Sequence, residues 1–170
     1  MELHMKNFFR STLNPDMYHG HSRSAPFFEG WYFKLVNADE TQRWAIIPGI
    51  FLGENGHAFI QVLHGNSAQS RYHRYSISEF WASSEDFDIK IGENHFSRHQ
   101  ISLNIDDSLG YASGAVQFEG TTPWPVSLIS PGIMGWYAWA PRMECYHGVL
   151  SLDHRLRGTL SIDEDEIDFT

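Results

Sequence analysis

One carboxyl group in this sequence stands where proton-transfer chemistry could use it. Glu29 lies inside the apolar run FFEGWYF at residues 27–33, and strand alternation places it on the same face as Trp31 and Phe33. A carboxyl group buried beside aromatic rings favours its neutral form and could donate a proton. The alternative is a structural carboxylate that pairs with an arginine or accepts backbone hydrogen bonds. Glu29 is therefore a candidate catalytic acid.

A second polar group follows an aromatic-rich stretch at residues 121–144. Glu144 and Tyr146 share a strand face, and His147 points to the opposite one. A Glu–Tyr pair could hold a ligand phenol or relay a proton. A hydrogen-bonded network that only fixes the loop would use the same side chains. We treat Glu144 and Tyr146 as candidate catalytic residues and His147 as a candidate ligand-binding residue.

Aromatic residues make up 15% of the chain, a high share that suits either a β-protein core or the wall of a cavity for an apolar ligand. The stretch at residues 121–144 contains four prolines and three tryptophans, so it predicts an ordered loop instead of a central strand. Core packing is expected for most of the rings. The candidate ligand-binding rings are Trp31, Phe33, Trp124, Trp136, Tyr137 and Trp139.

The ten histidines do not predict a metal site. His19 and His21 are two residues apart, and His95 and His99 flank the start of a strand, but no third ligand has suitable spacing. Hydrogen-bonding roles are expected for these histidines. The sequence also lacks a nucleophile elbow, a phosphate loop and a dinucleotide-binding glycine motif, so we expect no cofactor.

Period-two hydrophobicity separated by turn residues predicts an all-β fold with little helix, either an antiparallel lipocalin-like barrel or a half-barrel or sandwich. Residues 1–26 are expected to form an irregular segment that packs on a single β-domain at residues 27–170. Residues 27–36 predict one strand, and residues 43–52 a second strand with a bulge or corner at Pro48. The alternation at residues 149–153 predicts a further strand, with Gly158 near a turn.

Composition excludes several classes of partner. Lys and Arg number 12 against 21 Asp and Glu, which gives a net charge of −9 and disfavours nucleic acids and anionic membranes. The single cysteine, Cys145, excludes an intrachain disulfide. No apolar run approaches the roughly 18 residues of a membrane span, so we expect a cytoplasmic protein without membrane insertion.

Four segments resemble the tocopherol cyclase family, in particular its bacterial branch. They are NPDMYHG at residues 14–20, FEGWYFK at 28–34, PGIMGWYAW at 131–139 and MECYHGVLSLDH at 143–154. The resemblance implies a two-part β-fold of which this chain is the first half, because the family's later glycine-rich stretch and Lys-Asp-Trp-Gly motif are missing. It also implies that a C-terminal half or a second copy completes the fold.

The resemblance implies that the chain binds a prenylated quinol or another lipid-like molecule. If the chain is an enzyme, it would be an isomerase or intramolecular lyase that starts cyclisation or hydration of an alkene by protonation, with Glu29 as the leading acid. Two alternatives remain open. The chain could be a non-catalytic, lipocalin-like binding module for a hydrophobic ligand, or a structural half-barrel that self-associates through the strand edge near Phe169.

Overall fold

The computed structural model describes the backbone of residues 2–140 and 145–170, and the side chains of residues 8–21, 23–140 and 145–170. Strands account for 48% of the residues and helices for 10%, which confirms the all-β class. Within the described residues the strands form two antiparallel sheets and no closed barrel. The fold therefore corresponds to the half-barrel or sandwich form of the prediction.

The two sheets contain consecutive parts of the chain. The first sheet has the order β1-β3-β4-β5 with β2 also paired to β3, and its strands are β1 (Phe27–Gly30), β2 (Phe33–Val36), β3 (Arg43–Leu52), β4 (His57–His64) and β5 (Gln69–Tyr75). The second has the order β12-β11-β10-β9-β8-β7-β6, and its strands are β6 (Phe80–Ala82), β7 (Asp88–Ile91), β8 (Asn94–Ser97), β9 (Gln100–Asp107), β10 (Gly110–Glu119), β11 (Arg155–Ile162) and β12 (Asp165–Asp168). Helix α1 spans Glu2–Leu13, and short 3-10 helices span Gly20–Ser22, Ile77–Glu79 and Gly135–Trp139.

The core lies between the sheets and is filled with apolar side chains from both. Leu35, Ile46 and Ile60 from the first sheet are completely buried in one cluster with Phe96 and Leu160 from the second. Each such side chain stabilises the fold by about 1.5–3 kcal/mol relative to its exposure to water. This packing is what fixes the sheets face to face.

Pro48 explains why the predicted strand at residues 27–36 appears as two strands. The register from Gly30 opposite Gly49 to Phe33 opposite Ile46 is continuous, so Trp31 lies opposite Pro48. The Trp31 amide donates to the Pro48 carbonyl at 2.9 Å, but Pro48 has no N–H to return a bond. The predicted bulge in β3 is wrong, because β3 also pairs with β4 without an offset.

Helix α1 is a correction to the irregular N-terminal segment that the sequence predicted. Its sequence has Met5, Phe8, Phe9 and Leu13 at the spacing of one helix face. The rings of Phe8 and Phe9 contact Trp139, with centroids 5.9 and 5.2 Å apart. A short helix is marginal in water unless tertiary contacts support it, and these contacts come from a residue about 130 positions away, beyond the reach of local patterning.

The strand predicted at residues 149–153 is also wrong. This stretch runs beside residue Thr122, whose carbonyl accepts from the Leu152 amide at 2.8 Å, and strand β11 begins only at Arg155. Gly158 lies within β11, not at a turn: a Cβ there would lie 2.2 Å from the Ala115 carbonyl oxygen, and its φ is 131°. A glycine is required because the neighbouring strand approaches so closely.

Candidate functional site

Glu29 lies on β1 with its side chain directed to the inner face, as the sequence predicts. It shares this face with Phe27, which is half-buried, and with Trp31, which is buried, whereas Phe28 on the opposite face is exposed. The Glu29 side chain is only 17% exposed. Both of its oxygens accept hydrogen bonds from one residue: Oε1 lies 2.7 Å from His19 Nδ1, and Oε2 lies 2.9 Å from the His19 backbone nitrogen. The partner is a histidine, not the arginine considered from the sequence.

His19 joins three parts of the chain. Besides Glu29, its Nε2 lies 3.2 Å from the carbonyl oxygen of Ser11, in the last turn of α1. Burial lowers the pKa of His19, but the hydrogen bond and the negative charge of Glu29 together with the Ser11 carbonyl outweigh it, so the pKa is raised above its ordinary value of 6.5. The charge of Arg23 opposes this rise. The hydrogen-bonding role expected for His19 is confirmed.

Tyr18 packs beside this pair inside a group of rings. Its ring contacts Phe80 at 5.2 Å, Phe27 at 6.1 Å and Trp31 at 6.2 Å between centroids. Burial, and to a smaller extent the charge of Glu29, raise the pKa of Tyr18 to about 12. Tyr18 therefore stays a neutral phenol under ordinary conditions and supplies a mainly apolar wall.

The Glu29–His19 arrangement suits an ion pair better than a free proton donor. An imidazole that faces two acceptors is stabilised as a cation, and both carboxyl oxygens of Glu29 are already occupied as acceptors from His19. The pair could exchange a proton with a ligand that displaces His19. Sequence reasoning gave Tyr18 and His19 no part in this site, although a buried carboxylate requires a donor nearby.

Trp31 and Phe33 are packed against other core rings. Trp31 is buried and tilts against Phe87 at 5.6 Å. Phe33 stacks on Phe118 at 5.7 Å with an interplanar angle of 10°. The structure thus places both rings in the contact between the sheets.

The aromatic segment, defined here as residues 121–140, is ordered but directs large apolar side chains to solvent. Trp136 and Tyr137 stack at 4.0 Å and are 63% and 53% exposed. Leu128 and Ile129 are exposed still further, at 69% and 84%. The segment is held in place by a bridge between Val126 and Pro131 and by a 2.8 Å hydrogen bond from Trp139 Nε1 to the Leu128 carbonyl.

The remaining predicted residues lie around this segment. Trp124 and Trp139 are half-buried. Tyr146 is exposed, and its hydroxyl donates to the Ala140 carbonyl at 2.7 Å. The exposed His147 has its Nε2 3.5 Å from Cys145 Sγ. Glu144 lies outside the described residues.

Two clefts in the described part of the molecule lie away from these residues. One cleft of about 340 Å³ is lined by polar groups that include Glu79, Glu93 and Asp107, and a second of about 100 Å³ is lined by Trp44, Arg71 and others. Glu29 lines neither cleft. Among the described side chains, no group of three or more His, Cys, Asp or Glu residues could hold a metal ion.

Comparisons with known proteins find no match for this chain. A scan against protein-family models finds no matching family, and no curated protein and no solved structure matches either. The resemblance to tocopherol cyclases therefore depends on the sequence motifs alone. No helix in the described residues is long and apolar enough to cross a membrane.

Proposed function

We propose that this chain is a binding module for an apolar small molecule of the prenylated or lipid-like kind, and that the aromatic segment provides the binding surface. The observation that carries this proposal is the exposure of Leu128, Ile129, Trp136 and Tyr137 on one ordered segment. Contiguous exposed apolar side chains of this size typically mark interaction or ligand-binding sites. Location in the cytoplasm, expected from the lack of a long apolar run in the sequence, belongs to the same proposal.

The packing of the core favours a surface site over an interior one. A lipocalin-like carrier needs a dry cavity of a few hundred cubic ångströms. The inner faces of the sheets instead meet through Leu35, Ile46 and Ile60, which are fully buried by side chains of the opposite sheet. The aromatic segment, in contrast, is held by its own hydrogen bonds and offers a preformed surface, so little ordering entropy would be lost on binding.

The contribution of Trp136 can be worked from its exposure. A tryptophan covers roughly 200 Å², and a ligand that covered half of it would gain ~2.5 kcal/mol at ~25 cal/mol per Å². Costs on binding reduce this gain. We therefore expect Trp136→Ala to raise the Kd for an apolar probe at least ~10-fold.

The test is a fluorescence titration of the full chain with N-phenyl-1-naphthylamine, followed by displacement with a prenylated hydroquinone. Trp81→Ala is the matched control, because Trp81 is 51% exposed but lies on β6, outside the aromatic segment. We expect the control to bind like the unmodified protein. Equal affinities for Trp136→Ala and the unmodified protein, or no displacement by the hydroquinone, would contradict the proposal.

Catalysis of the tocopherol cyclase type is a second candidate, supported by a carboxyl group beside aromatic rings. In such a reaction, the carboxylic acid protonates an alkene to a tertiary cation, which nearby rings stabilise. A phenol oxygen then captures the cation and returns its own proton to the carboxylate. Glu29 is close to Trp31 and Phe27, but its two oxygens already bind His19. A catalytic Glu29 must therefore be freed first. Glu29→Gln would then abolish cyclisation of a prenylated hydroquinone.

A further inference from the structure

The N-terminal segment is attached to the β-domain at several separate points. Phe8 and Phe9 contact Trp139, and Arg10 Nη2 donates to the Ser84 carbonyl at 2.8 Å. Asp16 forms an ion pair with Arg98. The segment thus crosses from the aromatic segment to the edge of the first sheet, where it ends at His19.

His19 is the joint at which this segment is attached to β1. Its two ring nitrogens both face acceptors, the carboxylate of Glu29 and the carbonyl of Ser11. A neutral imidazole carries a single N–H and can donate to one of them only, whereas the imidazolium cation donates to both. The Ser11 carbonyl also lies at the C-terminal end of α1, where the helix dipole favours a positive charge.

We propose that residues 8–19 form a strap over the aromatic segment, and that protonation of His19 holds this strap in place. Loss of the proton removes one of the two ring hydrogen bonds and the charge attraction to Glu29. The end of α1 is then released from β1. Phe8 and Phe9 leave Trp139, which enlarges the apolar surface of the aromatic segment. This inference is independent of whether a ligand binds there.

The charges around His19 set the direction of the pH dependence. From β1, Glu29 favours the cation, and from α1 so does the Ser11 carbonyl, while Arg23 beyond the first 3-10 helix disfavours it. The other titratable groups nearby have their own contacts: Tyr18 is a neutral phenol, His21 Nε2 bonds the Ser83 carbonyl, Arg10 bonds Ser84, and Asp16 pairs with Arg98. Because the pKa of His19 is raised in the folded state, the strap is fully held below pH 6.5 and is released as the pH rises through the higher value.

The experiment follows the strap and His19 together in the full chain. Hydrogen exchange measures protection factors, corrected for intrinsic rates, of the backbone amides of residues 8–13 from acid to alkaline pH, and imidazole NMR signals give the titration of His19. We expect protection to fall at least ~10-fold with a midpoint that matches the His19 titration and lies above 6.5.

Three variants separate the strap from general effects of pH, with near-ultraviolet circular dichroism to verify each fold. His19→Gln is expected to remove the transition, and Glu29→Gln to move its midpoint to lower pH because the attraction for the cation is lost. His95→Gln is the matched control: His95 also pairs with a carboxylate, Asp88 at 2.9 Å, but on the second sheet, and its curve should match that of the unmodified protein. Protection that does not change with pH, or a transition that persists in His19→Gln, would overturn the proposal.

Discussion

Phe59 on β4 packs over Gly49 on β3 and stacks on Phe28 of β1, the strand that carries Glu29. A Cβ atom at Gly49 would lie 2.4 Å from Phe59 Cζ, 2.6 Å from its Cε1 and 2.9 Å from the Glu29 carbonyl oxygen. Phe59 is 3% exposed and stacks between Phe28 and Tyr72 on the outer face of the first sheet. Gly49→Ala must therefore displace a ring that is packed on both sides.

The cost follows from that displacement. Overpacking of a well-packed site typically costs ~1–3 kcal/mol, and partial exposure of a phenylalanine forfeits part of the ~1.5–3 kcal/mol of its burial. We expect Gly49→Ala to lower the free energy of unfolding by ~2–3 kcal/mol. Gly30 is the matched control, since it lies directly opposite Gly49 but a Cβ there would meet its nearest atoms at 3.4 Å. Gly30→Ala should cost less than ~1 kcal/mol.

A double-mutant cycle identifies the ring as the cause. In a Phe59→Ala background, Gly49→Ala should cost only ~1 kcal/mol, the remainder being its contact with the Glu29 carbonyl, so the two changes should couple by ~1–2 kcal/mol. Urea denaturation followed by circular dichroism measures all four proteins. Additivity within ~0.5 kcal/mol, or a Gly30→Ala cost equal to that of Gly49→Ala, would refute the assignment of the cost to Phe59.

Two further predictions concern titrating side chains. The phenolate absorbance of the unmodified protein minus that of Tyr18→Phe should show one tyrosine titrating near pH 12, because burial and Glu29 raise its pKa; a difference curve centred near 10 would contradict this. Burial raises the pKa of Asp107, but hydrogen bonds from His73 and from the Leu109 amide lower it by more, so Asp107 contributes stability above pH 3.8 that is lost as the pH falls through its lower folded value. Asp107→Asn should flatten the dependence of the urea midpoint on pH in that range, and an unchanged slope would contradict a contribution from Asp107.

Local alternation in the sequence was sufficient to predict the fold class and the faces of individual strands. Glu29 and Trp31 lie on the inner face and Tyr32 on the outer one, because period-two burial depends only on neighbouring residues. The effect of Pro48 was placed in the wrong strand. A proline cannot donate a backbone hydrogen bond to the strand beside it. Which strand lies beside it depends on the order of strands in the sheet, and the sequence does not show that order directly.

The candidate site was predictable only in part for a similar reason. The unusual position of Glu29 is visible in the sequence, but its partner His19 is brought to it by a segment that contacts Trp139, Ser84 and Arg98. Those contacts join residues that are at least 74 positions apart in the sequence, so no local pattern encodes them. Solvent exposure of the aromatic segment was equally hidden, because its composition fits a buried loop as well as a surface one.

The charges on β12 bear on how a second copy could associate with this chain. β12 is an edge strand of the second sheet, and Asp165, Glu166 and Asp168 on it are exposed. If two copies paired antiparallel about the centre of β12, Asp165 of one would lie opposite Asp168 of the other, and like charges directly opposite are destabilising. Charged edge strands are a common protection against such pairing. Self-association through this edge would therefore require high salt or low pH. The aromatic segment carries no charged side chain, so it does not repel an apolar partner at any pH. A binding role for that segment is for this reason a better account of the exposed surface than a half-barrel that pairs through its edge.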